Sequence, residues 1–403
     1  MRIVFIDMHC INFLTNTYGQ IVGGTKVKTY KHRFIIDYAL KNKIKVANLV
    51  TGMDSTKKGI TRKNKIANKL GFPNMDQTGA CVEECQYVLD ESYGKDSGIE
   101  IITDFEKIRE DDIVFAYLFN DKQRMYLDKI KKGHKVVMGN HFVALNEPYD
   151  LHKTNVEAFV NEIDLSDNEF VRKHLKSDGI KNITCPYIFA DRFRNLGNER
   201  KNKAMGVGTL STCKGNPGYK LYREEFGTEW IQLMRKEIYD HASEYPNEID
   251  SYVSYIYEDK KAVDDKDSFF VKAYKEFYNK HTGWTQSKYT SFDMVEKFNE
   301  YTMFACPEEL VGMPGIGFVE GMACGTAYIG LDASYYRKLG LIPGTHYITY
   351  DGTMSGLINT IRYYQAHQND TKRIAAAGTE FVRAHFNAQV VAEKFFDDLK
   401  ELL

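Results

Sequence analysis

Two α/β domains, each built on a parallel sheet, are the fold class this sequence predicts. Three observations predict it. At 403 residues the chain is too long for one comfortable core. Two stretches open in the same way: residues 2–7 and 204–210 are short apolar runs, each followed by a glycine-containing loop and then a helical pattern. Between them lies a polar run, residues 191–203, suited to a domain boundary.

In the first half, residues 2–7 read as a strand, 30–40 as a helix and 44–50 as a second strand, which makes a βαβ unit. The Gly23-Gly24 pair in the loop between them allows close backbone approach to a polar ligand, and a merely tight turn fits as well. It is not the G-x-G-x-x-G dinucleotide fingerprint. Residues 113–117 and 135–141 read as further buried strands, with a helix over 123–131. His141 stands at a strand's carboxyl end, where open α/β sheets hold ligands, although a structural histidine fits there too. Ser166 and Glu169 have capping-box spacing. Residues 183–187 form a short strand broken by Pro186.

In the second half, Gly208 lies in the first strand and turn, and Lys214 follows beside flexible backbone where it can meet a phosphate charge. Residues 225–241 read as one helix, 251–257 as a strand, 269–278 as a helix with Lys and Glu on its wet face, and 292–301 as another helix. The most informative stretch comes next. Residues 315–330 place Gly315, then Glu320 in the first turn of a short apolar helix, then a Gly325-Thr326 turn and a buried strand over 327–329. A helix follows over 356–365, and a terminal helix carries Val390, Val391, Phe395, Phe396 and Leu399 on its apolar side, with Asn387 as its cap.

Composition narrows the function classes. The formal charge of -1 supplies no global attraction to nucleic acid or anionic membrane. No apolar run approaches the ~20 residues that span a bilayer. Seven cysteines, odd in number and scattered, point to reduced thiols and a cytoplasmic location. Cys81 and Cys85 lack the second pair that a zinc site needs, and Asp264-Asp265 and Asp397-Asp398 sit in charged surroundings, so no metal site is expected.

Several motifs together resemble the retaining glycosyltransferases of the family-4, or group 1, type, which use nucleotide-sugar donors. They are Gly23-Gly24, Pro186 with Asp191 and Phe193, Gly208-Thr209-Leu210-Ser211 with Lys214-Gly215, and Pro307 with Gly315 and residues 320–326. The resemblance implies the GT-B fold, two Rossmann-like doubly wound domains facing a central cleft. It places an acceptor-side domain at 1–195, a donor domain at 196–385, and a C-terminal helix at 386–403 that crosses back to the first. Glu320 would bind the nucleotide's ribose and Lys214 the diphosphate. Gly23 and Gly24 would approach the donor phosphates, and His141 the transferred sugar. Gly208, Glu309 and Gly315 would complete the donor site.

Two positions depart from the pattern. Thr209 stands where the family has an arginine. Gly312 stands where it has a glutamate, with Glu308 and Glu309 nearby but out of register. The implied activity is transfer of a sugar from a nucleoside-diphosphate sugar to a saccharide or lipid-linked glycan hydroxyl, with retention, no tightly bound cofactor and no required metal. A phage-type enzyme acting on hydroxymethylated DNA bases and a non-catalytic sugar- or nucleotide-binding protein are the alternatives.

Overall fold

A computed structural model describes residues 1–6, 32–51, 82–117, 126–138, 148–211, 220–255, 268–281 and 292–403. The chain divides into two compact units, residues 1–185 with 388–403, and residues 186–387.

The first unit holds β1 (Arg2–Ile6), β2 (Lys45–Leu49), β3 (Glu100–Ile102), β4 (Asp112–Tyr117), β5 (His134–Met138), β6 (Val156–Asn161) and β7 (Lys181–Thr184). They form one sheet in the order β3-β2-β1-β4-β5-β6-β7, every pairing parallel. Parallel strands covered on both faces read as unbroken apolar runs, and all five residues of β1 are buried. Chain order reverses between β1 and β4, so the ligand-accepting edge of this sheet lies at their carboxyl ends.

Arg2 anchors the strand's start. Its Nε donates to Asp112 Oδ1 at 2.9 Å, one Nη to Asp112 Oδ2 at 2.5 Å and the other to Glu100 at 2.7 Å. The last helix, Ala388–Lys400, packs on this unit. Phe396 stacks on Tyr38 at 5.2 Å, and Lys181 donates to Asp398 O at 3.0 Å. Of its expected apolar side, Val390 is exposed. Asn387 turns its amide nitrogen back onto Arg383 O at 3.0 Å, closing the preceding helix.

The second unit holds β8 (Lys201–Leu210), β9 (Ile249–Tyr255), β10 (Tyr301–Ala305), β11 (Ala327–Leu331) and β12 (Ile348–Tyr350), in the order β12-β11-β10-β8-β9, again all parallel. Here the order reverses between β8 and β10. Among the described residues, two cores lie in this unit. One gathers Phe298, Phe304, Phe318, Tyr328, Tyr336 and Tyr347; the other gathers Ile238, Ile249, Ile329, Ile348, Ile361 and Ile374. Residues 186–195, assigned by sequence to the first domain, carry Phe189 and Phe193 into the first of these cores.

Four local expectations are corrected. The helix read over 225–241 is two, Lys220–Phe226 and Leu233–His241, because Gly227 at φ +61° ends the first. The helix after β6 is capped by Asn168, whose side chain accepts from Val171 N, and not by Ser166 with Glu169. The stretch read as a helix over 292–301 ends at Glu300, and Tyr301 already opens β10. On the helix Phe269–His281, the exposed side chains among those described are apolar or aromatic. Phe269 and Phe270 are 80% and 82% exposed, and Lys272 and Lys275 are half-buried.

Candidate functional site

The carboxyl edge of the second sheet gathers most of the described candidates. β10 ends at Ala305, and Cys306, Pro307, Glu308 and Glu309 follow. The chain then turns at Gly312, φ +79°, and enters the helix Gly317–Ala323. Phe318, Val319, Met322 and Ala323 are buried, so the helix is held by its apolar side and Glu320 is left on the other. Gly325 at φ +83° closes the helix, with Thr326 N donating to Gly321 O at 3.2 Å, and delivers the chain into β11.

Glu320 is half-buried, and among the described residues its carboxylate makes no hydrogen bond. Burial pushes its pKa up to about 7, and only the positive charge of Arg192 pulls it back. A carboxyl group poised near neutrality, with its oxygens uncommitted, can accept from a hydroxyl pair or give up a proton at little cost.

The two glutamates near Gly312 are not free in the same way. Glu308 is buried, and Oε1 accepts from Tyr336 at 2.6 Å and from Tyr328 at 3.4 Å. Its burial raises its pKa. Glu309 is half-buried and accepts from Gln232 Nε2 at 3.1 Å. Gln232 also takes Ser211 N at 2.8 Å, so it ties the end of β8 to the loop after β10. A cavity of about 560 Å3 opens beside these loops, lined by Glu308, Glu309, Gly312, Tyr335, Tyr350 and Asp351 among others.

Gly208 and Gly315 are brought together around one side chain. A Cβ on Gly208, whose φ is +141°, would stand 2.8 Å from Nε of Arg235. A Cβ on Gly315 would stand 3.1 Å from an Nη of the same residue and 3.0 Å from Cys306 Sγ. Cys306 is buried, and its thiol is pushed up to about 11, which keeps it neutral. Arg235 was not among the sequence candidates. The signal available for it is its position on the buried face of Leu233–His241, between Met234 and Ile238, where a charge is out of place. Gly23, Gly24, His141 and Lys214 lie outside the described residues.

A family model described as Glycosyl transferase-like matches residues 271–397, which include Glu320. No curated protein sequence matches the chain significantly. The structure is similar to sucrose-phosphate synthase from Thermosynechococcus elongatus, with a TM-score of 0.52 at 11% identity over 100% of this chain and 99% of that one. It is similar to Anabaena Alr3699/HepE in complex with UDP, with a TM-score of 0.50 at 13% identity over 100% of both chains.

The fold is the two-domain GT-B fold.

The pneumococcal O-GlcNAc transferase GtfA also matches, with a TM-score of 0.42 at 15% identity over 74% of this chain, and the match spans 58% of that longer protein. Within the GT-B fold the site just described occupies the carboxyl edge of the second sheet. Among the described residues, no helix is long and apolar enough to cross a membrane.

Proposed function

We propose that the chain is a glycosyltransferase that takes a sugar from a nucleoside-diphosphate sugar and transfers it to a hydroxyl of a saccharide or lipid-linked glycan, with retention. The observation that carries this reading is Glu320. A carboxylate with uncommitted oxygens stands on the helix after β10, beside the point where chain order reverses in the second sheet. Ligands of open α/β sheets bind outside the strand ends at such points. A carboxylate accepting from two vicinal hydroxyls would hold a ribose there.

The GT-B fold and the match to a glycosyltransferase-like family support the same reading. The chemistry asks for neutralisation of a departing diphosphate and stabilisation of a cationic sugar. Lys214 and the backbone at Gly23 and Gly24 are assigned to the diphosphate and His141 to the sugar. The departing phosphate would take the acceptor's proton on the same face, which needs no protein nucleophile.

The test is incubation with UDP-, GDP- and ADP-sugars and candidate acceptors, followed by nucleotide release. Release that depends on a saccharide or glycan acceptor is expected. Release that depends only on hydroxymethylated DNA would replace the acceptor class, and no release with any donor would move the chain to a binding protein.

A further inference from the structure

The helix Leu233–His241 buries a charge that the reading above does not use. Met234, Ile238 and Ala242 seat the start and far end of this segment in the core beneath β8 and β9. Arg235 shares that face and is 4% exposed. A guanidinium in such a place is costly unless it is compensated. Compensation here is incomplete. Nε donates to Pro307 O at 2.7 Å, and Nη1 donates to Thr209 O at 3.1 Å. Both acceptors are neutral carbonyls. Among the described residues Arg235 forms no ion pair, and Nη2 makes no hydrogen bond. Glu308 feels the charge through space, but its Oε1 is held by Tyr336 and its burial favours the neutral acid.

The position of this charge is as telling as its lack of a partner. Thr209 lies near the end of β8, and Pro307 follows the end of β10. These are the two adjacent strands between which chain order reverses. Arg235 therefore spans the crevice in which open α/β sheets hold their ligands. Gly208 and Gly315 flank the fork, and a Cβ on either would press on it. The chain keeps bulk away from the guanidinium and spends its N–H groups on only two carbonyls. Thr209 offers no cation from the strand, but its carbonyl orients one that arrives from the neighbouring helix.

We propose that Arg235 is an anion-binding residue of the second unit and that its uncommitted N–H groups hold a phosphate oxygen of the nucleotide ligand. The proposal rests on the nucleotide-sugar reading for the identity of the ligand, but not for the existence of the anion site. A planar guanidinium fits a phosphate with paired hydrogen bonds, which an ammonium cannot reproduce.

The experiment separates the two. Inorganic pyrophosphate, then UDP, GDP and ADP with their nucleosides, are titrated calorimetrically into the wild-type chain, Arg235→Lys and Arg235→Met. Pyrophosphate and the preferred nucleoside diphosphate should each bind at least about tenfold more weakly to Arg235→Met, with Arg235→Lys between. Affinity for the parent nucleoside should be unchanged, which also reports that the site is still folded. Equal pyrophosphate affinity in wild type and Arg235→Met would overturn the proposal, as would no pyrophosphate binding to wild type. Arg235-dependent pyrophosphate binding, with no gain from any nucleoside, would sink the nucleotide-sugar reading and leave the anion site standing. If Arg235→Met does not fold, a crystal of the wild-type chain with pyrophosphate decides. The anion should lie within hydrogen-bonding distance of Arg235 Nη2, and an anion found elsewhere only would reject the site.

Discussion

Tyr336 donates a 2.6 Å hydrogen bond to Oε1 of Glu308, and both residues are buried. Tyr328 completes the cluster, with its hydroxyl 2.6 Å from that of Tyr336. In this arrangement Glu308 differs from Glu320, whose carboxylate makes no hydrogen bond among the described residues. The Glu308 oxygen is committed inward, to aromatic hydroxyls that hold the loop after β10 against the helix Ser334–Lys338. Tyr336→Phe removes the short bond and leaves the carboxyl group under-satisfied, so it should destabilise the chain by about 1–3 kcal/mol in denaturant unfolding. Nucleotide affinity should change far less than in Glu320→Gln.

Glu320 gives a pH prediction with a definite sign. Its folded pKa, about 7, lies above the ordinary carboxylate value, so the folded state holds the proton more tightly than the unfolded state. Stability should therefore fall as pH rises from the ordinary carboxylate range through about 7. Glu320→Gln removes the titration. The variant should be more stable than wild type above pH 7 by on the order of 1–2 kcal/mol, allowing for solvent screening, and its Tm should vary less across that window. Nucleotide affinity should drop at the same time. A variant that gained stability yet bound nucleotide normally would refute the ribose role while leaving the electrostatics intact.

What the sequence showed and what it hid follow from the same physics. β1, β8 and β11 are apolar runs because parallel strands bury both faces, and they were legible. β3 and β12 are three-residue edge strands, too short to show a pattern, and β6 is broken up by Glu157 and Asn161. The long helix Gln368–His385 went unread because Thr371 and Gly378 occupy core positions beside Ile374 and Val382, which dilutes its period. Glu320 was visible as a candidate because a carboxylate inside an apolar helix stands out locally. Arg235 was not, since its meaning comes from carbonyls 26 and 72 residues away.

The Arg2–Asp112 pair is buried and bidentate, and it ties the first residues of β1 and β4 across the point of chain reversal in the first sheet. Asp112 also accepts from Arg109 N at 2.8 Å, so three N–H groups converge on one carboxylate. Asp112→Ala leaves Arg2 buried with only Glu100 and Lys107 O as partners. A loss of about 3–5 kcal/mol is expected. Hydrogen exchange should rise first in β1 and β4, with β8 and β10 unaffected. Uniform loss of protection across both sheets would show that the two units unfold as one.

Gly321 tests how tightly the helix bearing Glu320 is seated. A Cβ here would overlap Phe304 Cζ and stand 2.8 Å from Phe298. Those rings are fully buried and pack edge to face at 5.1 Å, so neither has room to withdraw. The absent methyl group and the aromatic pair are thus one packing solution. Gly321→Ala alone should cost about 1–3 kcal/mol through overpacking, despite alanine's better helix propensity. Phe304→Leu, a smaller side chain, should recover part of that loss when combined with it, because the two sites share one contact. Because the helix carries Glu320, the single variant should also weaken nucleotide binding. Additive costs in the double variant, measured by chemical denaturation, would show that the clash is relieved elsewhere in the core.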